Sequence, residues 1–309
     1  MPSFTSSLQV AATIIAAGLP LVSQAQYTSE SSVPPGYNSA CNCYRNVPYG
    51  SVSWMEPTTK KLAKQVMDVW MPPKTFSGPR PIVYYGHPNG ASSYIAKDSK
   101  ATSLWSKLVK PLTDRGFIVV AYEFRHPVVN YVEGKPTPRY DIQKAINTFV
   151  SKHAEALNAD PSNSFITGQS RGGGLGILTA LTGKLTGTTI RAMWTYQAQT
   201  TFNCNEMANT FVIPSDRDEF LTQCTSVPDA GSSLQSVGPS SPPIVAGYDR
   251  PFNMVQVPAS KVDVHYPDFG YQLCRRYQTE GTRQCDGRQS VSVDNAWVGV
   301  ADFFAAYIQ

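Results

Sequence analysis

Gly168-Gln169-Ser170-Arg171-Gly172 sets a serine between two glycines at a spacing with a chemical consequence. A serine hydroxyl is a weak nucleophile. It needs a base to take its proton and a fixed dipole to receive the charge that develops on the attacked carbonyl. G-x-S-x-G provides that setting at a strand-to-helix turn, the nucleophile elbow. Here the apolar run Ser164-Phe165-Ile166-Thr167 precedes the motif and Gly172-Gly173-Gly174-Leu175-Gly176 follows it. Such a turn lifts the Ser170 hydroxyl above a sheet edge, and the glycines let helix and strand approach closely. The Arg171 N–H then falls at a helix N-terminus, where an oxyanion is stabilised. A glycine-rich β–α turn with only a packing role fits the same residues. A dinucleotide fingerprint does not, because Gly172 and Gly174 lack a third glycine at the required distance.

The surrounding elements alternate strand and helix. Gln65–Met71, Pro81–Tyr85, Phe117–Tyr122, Ser164–Thr167, Ile190–Tyr196 and Ile244–Tyr248 read as strands, most of them continuously apolar. Helical spacing recurs at Leu104, Trp105, Leu108, Val109 and Leu112, and from Ile142 to Leu157. Helices are also expected over Gly172–Leu181, Asp268–Thr279 and Asp294–Ile308. This order predicts an α/β fold, a mostly parallel sheet with helices on both faces. Residues 201–243 break the alternation with a Ser/Gly/Pro-rich tract, which predicts an excursion or lid over one end of the sheet.

The chain has 309 residues, 41% hydrophobic and 16% charged, with a net charge of +4. That balance excludes intrinsic disorder. No run after residue 25 reaches the ~18 apolar residues that span a bilayer, so no stable membrane anchor is expected. The densest basic cluster, Lys60, Lys61 and Lys64, reads as a solvated surface, and no nucleic-acid partner is expected. Leu8–Val22 is almost wholly apolar and Ser23-Gln24-Ala25 places small residues at a cleavage site. Residues 1–25 therefore read as a signal peptide, with 26–309 a single secreted domain.

All six cysteines follow the cleavage point, and an even number in an oxidising compartment predicts disulfides. Cys204 with Cys224 and Cys274 with Cys285 are the short-loop pairs. Cys41 and Cys43 are poorly placed to pair with each other, so a cross-link to the 204–224 segment is an alternative. No metal-ligand spacing occurs, and neither a metal nor another cofactor is expected.

From Pro81 to Leu181 the sequence resembles the α/β-hydrolase superfamily and its secreted esterase- and lipase-like members. Arg80-Pro-Ile-Val-Tyr-Tyr-Gly-His87 is similar to the third strand and its oxyanion loop, with Pro88-Asn89-Gly90 in place of a glycine run. Gly116–Tyr122, Asp141–Ala145 and Asp160–Ser170 resemble the next strand, helix and elbow. Pro242–Asp249 resembles the strand that ends in the triad carboxylate, and Tyr266–Leu273 the helix after it.

The resemblance implies Ser170 as nucleophile, Asp249 as the acid that orients an imidazole, and Asn89 and Gly90 as oxyanion donors beside Arg171. It also implies a histidine before the last helix, where this chain has Val291-Ser-Val-Asp-Asn-Ala-Trp297. Only His265 follows Ser170. His153 lies on an apolar helix face and reads as a core residue. His87 belongs to the oxyanion turn and His126 follows a strand, and both are expected in the substrate-binding wall. Two functions follow. One is a secreted serine hydrolase that acts on small-molecule or polymer-borne esters, with His265, or failing that His126, as base. The other is a non-hydrolytic member of the fold that binds a ligand or partner, or an enzyme repurposed for other chemistry.

Overall fold

Apolar runs without polar interruption need both faces of a sheet covered, and the helices of this chain cover both. The computed structural model describes residues 32–55, 62–88, 105–125, 138–224, 231–281 and 284–309. The strands are β1 (Tyr37–Asn38), β2 (Cys43–Met55), β3 (Leu62–Trp70), β4 (Arg80–Gly86), β5 (Ile118–Tyr122), β6 (Ala159–Gln169), β7 (Ile190–Tyr196), β8 (Ile244–Gly247) and β9 (Cys285–Arg288). They form one sheet in the order β1-β2-β3-β5-β4-β6-β7-β8-β9. The first four in that order pair antiparallel, and every pairing from β5 to β9 is parallel.

Alternation along the strands sends successive side chains to opposite layers. Ile82, Tyr84, Ile118, Val120, Ile166, Met193 and Ile244 face one core, with α2 (Pro138–Lys152), α3 (Ser170–Thr182) and α7 (Asp268–Thr279). Val83, Tyr85, Val119, Phe165, Trp194 and Val245 face the other. That layer is closed by the π-turn Trp105–Val109, its continuation α1 (Lys110–Thr113), and the C-terminal residues Trp297, Val300 and Phe304.

Three expectations change. The strand at Ser164–Thr167 extends over the whole of β6, because its start pairs with Arg80 and Pro81. The helix expected over Asp294–Ile308 shrinks to α8 (Val300–Ala305), which begins after Gly299 at φ +88°. Cys41 and Cys43 do bond to each other, beside Cys204–Cys224 and Cys274–Cys285. Asn42 between them takes φ +48°, a left-handed turn that Asn tolerates, and brings the two Cα atoms to 5.1 Å. Residues 1–31, which contain the signal-peptide reading, lie outside the described residues.

The 201–243 excursion holds α4 (Cys204–Phe211), α5 (Arg217–Gln223) and α6 (Ser233–Ser236). Its Phe202, Met207, Phe211, Phe220 and Leu234 are buried in the main core rather than laid over an open edge. Among the described residues, no helix is long and apolar enough to cross a membrane.

Glycines set how closely the central elements meet. A Cβ at Gly172 would lie 2.2 Å from the His87 carbonyl oxygen, and one at Gly174 would lie 1.9 Å from that of Gln199. Both obstacles are backbone, which cannot swing aside. Gly174→Ala should therefore cost about 2–3 kcal/mol in urea unfolding. Gly238→Ala, with open space around the added methyl, should stay within about 0.5 kcal/mol of wild type. Equal midpoints for the two variants would contradict the close-approach argument.

Candidate active site

β4, β6, β7 and β8 run parallel, so Gly86, Gln169, Tyr196 and Gly247 finish at one sheet edge. β6 hands over directly to α3 there. Ser170 is the first residue of α3 and takes φ +53°, a region costly for any residue with a Cβ. Gly86, Gly168 and Gly172 crowd backbone on backbone around it, which presses the start of α3 against the end of β4. The His87 carbonyl thus lies beside the elbow. This is the strand–turn–helix that the motif requires.

Ser170 Oγ lies 2.8 Å from His265 Nε2, a hydrogen bond in which the hydroxyl donates when the ring carries its proton on Nδ1. His265 sits between β8 and α7, on a loop whose far end is fixed by the buried carboxylate of Asp268. That carboxylate accepts from the Asn253 N–H (2.7 Å), the Met254 N–H (3.0 Å) and the Tyr266 hydroxyl (3.1 Å). Burial pushes the His265 imidazole below its ordinary pKa; Asp263 and then Asp249 oppose that shift, while Arg250 and Arg171 add to it.

Asp249 follows β8 at the same edge. Its carboxylate is half-exposed and lies 3.6 Å from Arg250 Nε. Asp263 is the residue that sequence reasoning missed. It accepts the His265 N–H at 2.8 Å and both Asp263 oxygens meet Arg250 Nη2, at 3.0 and 3.1 Å. No motif marks it, since its contacts, with His265 two residues on and Arg250 thirteen residues back, depend on how the loop folds.

His87, expected in the substrate-binding wall, is 1% exposed. Its Nε2 lies 3.1 Å from the equally buried Glu123 carboxylate, its Nδ1 lies 3.0 Å from the Pro88 carbonyl, and its ring stacks on Phe124. Both ring nitrogens are thus directed at the protein, and the group braces the turn after β4. The end of β5 is braced as well. Arg125 donates to both oxygens of buried Asp141 at 2.7 Å, which holds the guanidinium above its usual pKa. His153 is a core residue, with Nδ1 2.8 Å from the Ser32 carbonyl. Asn89, Gly90 and His126 lie outside the described residues. Arg171 follows Ser170, and its side chain is half-buried.

A family model, BD-FAE, matches residues 67–231. The chain belongs to the BD-FAE family. That match spans β3 to the excursion, includes Ser170, and ends before Asp249 and His265. No curated protein matches the chain by sequence. Solved structures share its fold, the α/β-hydrolase fold. A truncated carbohydrate esterase from gut microbiota is 19% identical and aligns with a TM-score of 0.58, over 90% of this chain and 99% of its own. A carboxyl esterase from the mycorrhizal fungus Tuber melanosporum is 16% identical, with a TM-score of 0.52 over 89% and 90%. A thermophilic esterase from the planctomycete Thermogutta terrifontis, with butyrate bound, is 15% identical, with a TM-score of 0.53 over 83% and 94%.

A base must be neutral to accept a proton. Because the His265 pKa lies below the ordinary value of about 6.5, any ester hydrolysis that depends on it should rise with pH to a plateau through a midpoint below that value. A kcat/KM profile on a substrate without ionisable groups measures this. A midpoint above 6.5 would contradict the burial argument.

Proposed function

We propose that this protein is a serine hydrolase of carboxylic esters that works outside the cell. The observation that carries the reading is the 2.8 Å contact between Ser170 Oγ and His265 Nε2 at a strand–helix elbow. Ser170 Oγ attacks the ester carbonyl carbon while His265 Nε2 takes the hydroxyl proton. The oxyanion formed is held by the Arg171 N–H, with the N–H groups of Asn89 and Gly90 as the further donors of this proposal. Collapse expels the alcohol, which leaves with the proton from His265. Water then repeats the sequence on the acyl-enzyme and releases the acid. Asp249 and Asp263 supply the negative charge that stabilises the imidazolium between these steps.

The family match and the esterase relatives support an ester as substrate, small or carried on a polymer. Three disulfides among the described residues support export with removal of Met1–Ala25.

Ser170→Ala and His265→Ala should each lower kcat on 4-nitrophenyl acetate by about 10⁴-fold or more, and the double variant should lose little further, because the two act as one unit. Equal rates for wild type and Ser170→Ala would leave the non-hydrolytic reading in its place.

A further inference from the structure

His265 occupies a loop, yet a base must be held to within about 0.5 Å of its productive position beside the nucleophile. Its main chain has two anchors. The N–H donates to Asp263 Oδ1 at 2.8 Å, and the carbonyl accepts from Arg250 Nη2 at 2.9 Å. Both converge on one group, because the same Nη2 also donates to Asp263 Oδ1 and Oδ2 at 3.0 and 3.1 Å. Arg250 itself stands close to the end of β8, where Tyr248 is bonded on both sides. Its N–H donates to the Arg288 carbonyl (2.9 Å), and its carbonyl accepts from the Val291 N–H (2.8 Å). The sheet therefore offers a fixed point to which the loop can be tied.

We propose that Arg250 is a positioning residue for the base: its guanidinium fastens the loop that carries His265 to the end of β8. The proposal rests on the reading of Ser170 and His265 as an acyl-transfer pair. Guanidinium geometry suits the task, since a planar fork bridges a carboxylate and a carbonyl in fixed directions where an ammonium is a point charge.

The same group has an electrostatic part. Arg250 lies between Asp263 and Asp249, the two carboxylates that face His265, with Arg171 the other cation beside it. It masks their charge and keeps the imidazole neutral at lower pH. Its side chain is 44% exposed, so the ion pair contributes little to global stability. The effect is expected in the site.

The experiment compares Arg250→Met, Arg250→Lys and Asp263→Asn with wild type and Ser170→Ala, by kcat and KM on 4-nitrophenyl acetate across pH and by thermal unfolding. Arg250→Met should lower kcat about 10- to 100-fold, leave KM within about twofold and Tm nearly unchanged, and move the acid limb of kcat/KM to higher pH. Arg250→Lys keeps the charge. It should return the acid limb towards wild type while kcat stays low. Asp263→Asn removes a carboxylate and should move the limb the other way, to lower pH. Wild-type kcat and acid limb in Arg250→Met, or a loss accounted for by a fall in Tm alone, would overturn the proposal. If Arg250→Met does not fold, Arg250→Lys decides, and wild-type kcat there overturns it. If Ser170→Ala keeps the wild-type rate, the hydrolase reading fails and takes this proposal with it. An inactive Ser170→Ala beside an Arg250→Met with wild-type kcat and acid limb removes this proposal alone.

Discussion

The site depends on how near β4, β6 and α3 come to one another. At Gly86, Gly168 and Gly172 the backbones meet at distances that no side chain permits, and Ser170 is held beyond them at φ +53°. A serine in that conformation is strained, and the strain persists because the parallel strands on either side fix the turn at both ends. Every other feature follows from it. The hydroxyl meets His265 Nε2 at 2.8 Å, and the His87 carbonyl lies alongside at Gly172.

The imidazole that meets Ser170 arrives by an unusual route. Before the last helix, where a histidine was expected, the chain has Asp294, Asn295 and Ala296 on turns, and the imidazole comes instead from the loop between β8 and α7. A loop position brings a mobility problem and a charge problem. Asp268 and Arg250 address the first by tying the loop to itself and to the end of β8. Burial against two carboxylates and two guanidinium groups addresses the second, and burial dominates.

The central strands were legible because uninterrupted apolar runs have few alternatives, and the elbow because its spacing joins a strand to a glycine-rich helix. β2 and β9 were not. β2 alternates irregularly through register shifts, and β9 (Cys-Asp-Gly-Arg) has no apolar signal, since each exists only as the partner of a neighbour. His265 stood out by elimination, as the single histidine after Ser170, and not by any motif. Arg250, Asp263 and Glu123 were invisible as functional groups, because each acts through a contact between residues that are not adjacent in sequence. The Cys41–Cys43 bond hinges on the left-handed turn at Asn42, which spacing does not reveal.

The most direct test of the Ser170–His265 pair is chemical. A serine-directed fluorophosphonate reacts only with a hydroxyl whose proton is being removed in a site that accommodates the phosphoryl oxygen. Intact mass and peptide mapping after incubation with the probe should show one adduct per chain, on the peptide that contains Ser170, and almost none in His265→Ala at the same exposure. An unlabelled wild type, or labelling of His265→Ala at the wild-type rate, would contradict the account.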